Sequence, residues 1–244
     1  MNLIIDIGNT RAKLAVFDRE KILKAVVCPK EELLQAQEHL RQEFPEIKHG
    51  ILANVAEPKN TFVGWVSGLT GTTIELSSRT PVPFKNSYET PETLGLDRIA
   101  LAAAAVNQFP GKNVLVIDAG TCITYDIITS DKVYLGGAIS PGLNMRFRAI
   151  NNFTANLPLL KASSEEIPAL GHNTIQSLHL GITQGLLFEI NGFLLNYQQL
   201  YPGLTTILTG GDAEILSKRL KNGIFVAKNF LSSGLNCILE YNKH

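Results

Sequence analysis

The chain has 244 residues, 45% hydrophobic and 18% charged, which suffices for one large domain or two of about 110 to 130 residues with a substantial core. Lys+Arg and Asp+Glu both number 22, so no basic footprint recommends nucleic acid, and near-neutrality is permissive of self-association. No uninterrupted apolar run approaches the ~18–20 residues that span a bilayer, and Met1-Asn2 leads into a strand without a basic leader, so neither membrane insertion nor secretion is expected. Cys28, Cys122 and Cys237 are scattered without any C-x-x-C, which fits the reduced cytoplasm, and the five histidines form no zinc-type pair.

In chain order, apolar alternation predicts strands over 2–6, 13–18 and 22–28. Pro29 then introduces a helix over 30–44, with Glu31 and Glu32 in its first turn and Leu33, Ala36, Leu40 and Phe44 on one stripe. A strand over 50–55, a helix near 62–69 and a short extended piece at 73–76 follow. Residues 79–95 carry Pro81, Pro83, Pro91 and Gly95, and a loop this long and irregular points to a functional segment. An alanine-rich helix over 96–109 ends at Pro110-Gly111, which divides the chain into an N-terminal domain over 1–111 and a C-terminal domain over 112–244.

The second half opens like the first, with strands over 113–118, 123–128 and 133–138. Ser140-Pro141-Gly142 reads as a helix entry, with the serine as cap and the proline in the first turn. Ile175, Leu178, Ile182, Leu186, Ile190, Phe193 and Tyr197 recur at helical spacing and predict one long amphipathic helix. Gly181 and Gly185 permit close helix contact, and Leu187, Leu194 and Leu195 extend the apolar surface to other faces. A helix apolar around much of its circumference must be covered on more than one side, and a symmetric dimer supplies the second cover. A strand over 205–209, a Gly210-Gly211-Asp212 turn and helices over 213–220 and 231–241 complete the chain. No G-x-G-x-x-G stands at a strand-to-helix turn, which disfavours dinucleotide binding.

Two segments say nearly the same thing: Leu3-Ile4-Ile5-Asp6-Ile7-Gly8-Asn9-Thr10 and Leu115-Val116-Ile117-Asp118-Ala119-Gly120-Thr121. Each is an apolar strand running into Asp-x-Gly and a small polar residue, and the copies are separated by roughly a domain's length. Glycine lets the backbone turn and approach an anion, while N–H groups, the Asn9 amide and threonine hydroxyls donate to phosphate oxygens. An aspartate there would repel phosphate, so its sensible role is to hold a cation or a cation-bound water beside it.

The ordered set Asp6-Ile7-Gly8-Asn9-Thr10, Gly95-Leu96-Asp97-Arg98, Asp118-Ala119-Gly120-Thr121, Gly136-Gly137-Ala138-Ile139-Ser140-Pro141-Gly142 and Thr209-Gly210-Gly211-Asp212 resembles the type III pantothenate kinases across nearly the whole chain. The resemblance implies a mixed α/β fold of two duplicated ribonuclease H-like, actin-like ATPase domains with ATP in the cleft between them. It also implies phosphorylation of pantothenate on the way to coenzyme A, by a homodimer using Mg²⁺-ATP and a monovalent cation, K⁺ or NH₄⁺. By position, Asp6, Ile7, Gly8, Asn9, Thr10, Arg11, Ala12 and Lys13 would form the first phosphate loop. Asp97 would be the general base, flanked by pantothenate contacts at Gly95, Leu96 and Arg98, with Tyr88 a further contact. Asp118 would ligate the monovalent cation, Thr121 would contact ATP, and Thr174 would reach pantothenate in the partner subunit's site. One departure is Cys122, where a smaller residue such as alanine is expected.

The residues themselves leave alternatives. Asp97 reads as a base or as a helix cap paired with Arg98, and Arg98 as a carboxylate or phosphate contact or a surface ion pair. Lys13 either reaches phosphate or is solvated, and Tyr88 either touches substrate or packs. Gly210-Gly211 lies against adenosine or is only a turn. At the level of function, the alternatives are a nucleotide-binding regulatory protein of the same fold and a sugar or acetate kinase of the same superfamily.

Overall fold

In the computed structural model, residues 1–8, 11–54, 68–163, 167–220 and 223–243 are described. The expected helix near 62–69 lies almost wholly outside them. The chain divides into two units, one of residues 1–111, 132–134 and 229–244 and the other of residues 112–131 and 135–228. This differs from a division at 111 alone, because the last helix belongs with the first unit.

In the first unit, β1 (Asn2–Ile7) pairs antiparallel with β2 (Ala12–Asp18), which pairs antiparallel with β3 (Lys21–Cys28). On its other side β1 pairs parallel with β4 (His49–Asn54), which pairs parallel with β5 (Thr73–Glu75), giving the order β3-β2-β1-β4-β5. Helix α1 (Leu33–Glu43) lays Leu33 and Leu40 against Leu3, Ile5 and Ile7 on one face of this sheet. Strand alternation therefore turns Asn2, Ile4 and Asp6 to the other face. There lie α2 (Leu96–Gln108) and α7 (Phe230–Tyr241), and the Asn2 amide donates to Asn236 Oδ1 at 2.7 Å and Glu240 Oε1 at 2.6 Å. The irregular loop before α2 holds a two-residue strand, β6 (Lys85–Asn86), and a 3₁₀ turn (Pro91–Thr93).

The second unit repeats the arrangement. Strands β7 (Val114–Ala119) and β8 (Cys122–Ile128) are antiparallel, and β10 (Thr205–Thr209) runs parallel to β7 and to β11 (Ile224–Val226). With β9 (Val133–Pro141) the order is β9-β8-β7-β10-β11, position for position that of the first unit. Two copies of one five-stranded mixed sheet are what a duplicated ribonuclease H-like chain requires. Strand β9 begins in the first unit, where Val133 and Tyr134 pair with Lys85 and Asn86 of β6.

Several local expectations change. Ser140 and Pro141 do not open a helix: they end β9, and α3 (Leu143–Asn152) starts after Gly142. The backbone of Gly142 donates to the Thr121 carbonyl, which holds 140–141 extended for one more step of the strand. The long helix is α4 (Thr174–His179), a π-helical turn (Leu180–Gln184) and α5 (Gly185–Leu200) in succession. Leu187 and Leu194 lie in the core with Leu186 and Ile190, not on a second face. The outward face is instead Gly181, Gly185, Phe188, Gly192 and Leu195, with Phe188 66% and Leu195 61% exposed. Thr174–Leu200 is also long and apolar enough by composition to cross a membrane, but its inner stripe is core of the second unit. The helix α6 (Ala213–Ser217) is shorter than expected, and strands β6 and β11 carried no clear sequence signal.

Helix α7 joins the first unit through one close approach. A Cβ at Gly234 would stand 1.8 Å from the Ala100 carbonyl oxygen, and α2 offers a buried run of alanines from Ala102 to Ala105. The obstacle is backbone, which cannot rotate away. Gly234→Ala should therefore cost about 2–3 kcal/mol or more in a urea denaturation experiment, despite alanine's better helix propensity. A neutral or stabilising result would mean the two helices separate freely.

Candidate active site

Because β1 alternates, Asp6 emerges at its end on the face that carries α2. Its antiparallel partner is Lys13, and Lys13 Nζ lies 3.8 Å from Asp6 Oδ2. Gly8 closes the following turn by donating to the Arg11 carbonyl at 3.0 Å. Ile7 and Ala12 are buried strand residues flanking that turn, and Arg11 is exposed. Asn9 and Thr10 lie outside the described residues.

The loop ahead of α2 brings a second carboxylate. Gly95 caps α2 in extended conformation and Leu94 anchors it, so Leu96 and Asp97 occupy the first turn. A Cβ on Gly95 would stand 2.4 Å from Asp97 Oδ1, so glycine leaves the room that carboxylate occupies. Asp97 Oδ1 accepts the Arg98 N–H at 2.9 Å and gains from the positive end of the helix. Gly95 rather than Asp97 stands at the cap position, and the Asp97 carboxylate is instead fixed inside the first turn by the N–H of the next residue. Arg98 does not lie at the surface: it is 3% exposed, with its Cζ 5.5 Å from the Tyr88 ring centroid. Tyr88 is half-buried, and its N–H donates to Asn86 Oδ1 at 3.0 Å.

Asp6 feels this neighbourhood. Burial pushes its carboxyl up from 3.8 to about 6, Lys13 pulls it down, and the Asp97 charge pushes it up again. Lys13, about half exposed, is too well solvated to neutralise it. A desolvated carboxylate with a second beside it is a donor set that suits a hard divalent cation.

In the second unit, Asp118 ends β7 opposite Thr124 and Thr209, on the face away from Leu115, Ile117 and Ala119. The turn after it is one residue shorter than the first: Gly120 donates to Cys122, whereas Gly8 donates to Arg11. Backbone presses on it from two directions. Gly142 would, with a Cβ, stand 2.3 Å from the carbonyl oxygens of Gly120 and Thr121. Gly210, at φ +96°, would meet Asp118 Oδ1 at 2.3 Å and the Ala119 carbonyl at 2.4 Å. Only glycine meets both demands at 210, so the Gly-Gly turn seats the aspartate, and Asp212 N–H ties it down on Ala119 at 2.9 Å. Asp118, half-buried at this corner, is the oxygen donor whose chemistry suits a cation, while the Ala119 carbonyl is taken by the Asp212 N–H. Thr121 and Cys122 are exposed at the tip of the turn.

A buttress the sequence did not single out supports this region. Arg146 donates to the Pro141 carbonyl at 2.9 Å, to Ser140 Oγ at 2.6 Å and to Glu189 Oε2 at 2.6 Å, while Tyr125 donates to Glu189 Oε1 at 3.0 Å. Burial alone would raise the Glu189 carboxyl, but hydrogen bonds from Ser140, Arg146 and Tyr125 hold it below the usual range. Thr174 is exposed at the start of α4, capped by Asn173, whose Oδ1 accepts the Gln176 N–H at 2.9 Å. Among the described residues no cluster of three or more His, Cys, Asp or Glu forms a metal cage.

A family model described as type III pantothenate kinase matches residues 2–196. The chain belongs to the type III pantothenate kinase family. The type III pantothenate kinase of Christiangramia forsetii is 49% identical over 244 residues, covering 100% of this chain and 99% of the relative. That of Flavobacterium johnsoniae is 44% identical over 243 residues, covering 99% and 98%. Among solved structures, a Baf family protein of Campylobacter jejuni aligns at a TM-score of 0.66 with 23% identity, covering 98% of each chain. The activator of the 2-hydroxyisocaproyl-CoA dehydratase of Clostridium difficile, solved with bound ADPNP, aligns at 0.57 with 12% identity, covering 98% of this chain and 93% of its own. A glucokinase of an Antarctic psychrotroph aligns at 0.53 with 15% identity and 99% coverage of both. These likenesses establish for this type III pantothenate kinase family member the duplicated fold of the actin-like ATPases and sugar kinases.

The buried Asp6 carboxyl gives a pH-dependent signature. The native state holds the proton up to about pH 6, whereas the unfolded chain releases it near 3.8, so stability falls as pH rises through that window. Asp6→Asn removes the penalty. Ligand-free wild type and variant should match below about pH 4, and the variant should gain up to about 3 kcal/mol above about pH 6 in urea denaturation. A constant difference across pH would assign Asp6 an ordinary carboxyl.

Proposed function

We infer that this chain transfers the γ-phosphate of ATP to the primary hydroxyl of pantothenate, the first step towards coenzyme A. The observation that carries the reading is the carboxylate pair Asp6 and Asp97, set at the end of β1 and the start of α2 in a chain that matches the family over its whole length. Asp97 acts as general base. Its backbone-anchored carboxylate orients the hydroxyl, whose oxygen bonds to the γ-phosphorus as the bond to ADP breaks, and Asp97 takes the proton late in this loose transition state. Gly95, Leu96, Arg98 and Tyr88 line the acceptor side. The turn from Asp6 to Lys13 and the turn carrying Thr121 donate N–H and hydroxyl groups to ATP, and Gly210-Gly211 leaves room for adenosine. Asp6 is the residue to hold Mg²⁺, which supplies charge neutralisation to the phosphates, and Asp118 the residue to hold K⁺ or NH₄⁺. The direct test is ADP release by purified protein with Mg²⁺-ATP and pantothenate, sugars or acetate in turn. Turnover with sugars or acetate but not pantothenate would overturn the reading, and absence of turnover with all would favour a nucleotide-binding regulator.

Asp97→Asn should lower kcat by about 10²-fold or more while ATP binding persists, since general-base assistance is typically worth 10²–10⁴. Near-native turnover in that variant would remove Asp97 from the role.

The active form in this reading is a homodimer. The outward face of α5 supports it: Phe188 and Leu195, one above the other, are both more than half exposed, beside glycines with open space around them. Large apolar side chains so displayed on one helical face favour a second copy over water. Thr174, exposed at the start of α4, then serves the partner's acceptor site. Mixing an Asp97→Asn chain with an inactive Thr174→Ala chain should restore activity, because one of the two sites in a heterodimer carries neither lesion. A fully active monomer at assay concentration in sedimentation would end this assignment.

A further inference from the structure

Arg98 is a buried guanidinium held by rings rather than displayed at the surface. Its Cζ lies 5.5 Å from the Tyr88 centroid and 5.9 Å from that of Tyr134, both within the range of cation–π attraction. The two tyrosines differ in access. Tyr88 is half-buried at the loop surface, whereas Tyr134 is fully buried and cannot meet a ligand. Tyr134 is itself fixed. Its carbonyl accepts the Ser87 N–H at 3.0 Å, its Cα partner in the ladder is Asn86, and its ring packs 6.2 Å from both Phe84 and Tyr88. Two residues of β9 thus reach into the acceptor loop and place an aromatic face beside the arginine.

We propose that Tyr134 is a positioning residue for the acceptor site, acting through Arg98. The proposal rests on the reading of Arg98 as a pantothenate contact. A flexible arginine loses several rotamers when it is ordered, and a rigid ring with its negative face towards the guanidinium holds one of them in advance. Pre-ordering the cation leaves less entropy to be lost when the acceptor binds. The arginine's planar, weakly hydrated head suits such a site, and lysine does not offer the same stacking surface. The effect belongs to pantothenate binding. ATP, bound by the phosphate turns, should not register it.

The test changes the electronics of the ring at nearly constant shape. Tyr134→Phe is the reference, followed by 3,5-difluorophenylalanine and pentafluorophenylalanine at position 134, each of which weakens the negative face. Across the series KM for pantothenate should rise to about three- to tenfold, while KM for ATP and the melting temperature hold. Should the Phe protein fail to fold, 2- and 3-fluorotyrosine, assayed on the acid side of neutrality so that the phenol stays neutral, provide the comparison with the hydroxyl retained. A flat pantothenate KM across the series overturns the proposal, as does an equal rise for both substrates. So does the same rise in an Arg98→Ala background, since the route would then bypass the arginine. Arg98→Ala separates the two levels: if it raises KM for pantothenate while the ring series is flat, only the positioning role falls. If it leaves that KM unchanged, the acceptor-site reading falls and the proposal falls with it.

Discussion

A carboxylate at the end of a buried strand is expensive, and much of the first unit is arranged around that cost. Asp6 is 6% exposed, and its ion-pair partner Lys13 is half solvated and 3.8 Å away. That one ion pair does not offset the desolvation, so the Asp6 carboxyl rises to about 6. The Asp97 charge raises it further, so the two acids sense one another across the end of the sheet. Folding alone would not select such a pair. In the proposed reaction, a cation bound with the phosphates would offset part of that cost, so ligand binding would stabilise the fold.

The second unit solves the equivalent position with backbone instead of charge. Asp118 has Thr124 opposite it where Asp6 has Lys13, and its turn is one residue shorter. Gly142 and Gly210 bring main chain against Gly120, Thr121 and Asp118, and Arg146 and Glu189 brace the strand end that leads to Gly142. The two copies have kept the same sheet while their turns have diverged. One pairs its aspartate with a half-exposed lysine, and the other seats its aspartate against glycine backbone. That asymmetry matches the division between divalent and monovalent cations proposed above.

Much of this was legible in the residues. The repeated apolar strand ending in Asp-x-Gly announced the duplication, because period-two burial and glycine turns are local properties. The helix over residues 96–108 and the Gly-Leu-Asp-Arg block at its start were equally plain. What the residues hid was long-range. Ser140-Pro141 carries a strong local helix-entry signal, yet the carbonyl of Thr121, nineteen to twenty residues away in sequence, keeps it extended. Leu187 and Leu194 share the core with Leu186 and Ile190 because the buried stripe of α5 is about 100° wide, broader than a stripe of every third or fourth residue suggests. Tyr134 gave no signal at all, since a tyrosine in a strand is ordinary until the arginine beside it is known.

The return of α7 to the first unit has a consequence for how the polypeptide reaches its native state. Asn2 is bonded to Asn236 and Glu240, and Lys243 Nζ donates to Asn2 Oδ1 at 2.8 Å. Strand β1 therefore waits for residues 229–243 before that face is covered. The second unit, contained almost wholly in 112–228, is free to form in the interval. Synthesis order and assembly order are thus opposed: the unit begun first is finished last, with Ile4 and the alanines of α2 awaiting α7. Contacts of such sequence separation are slow to close, so this exposed face is where a nascent chain most needs protection from aggregation.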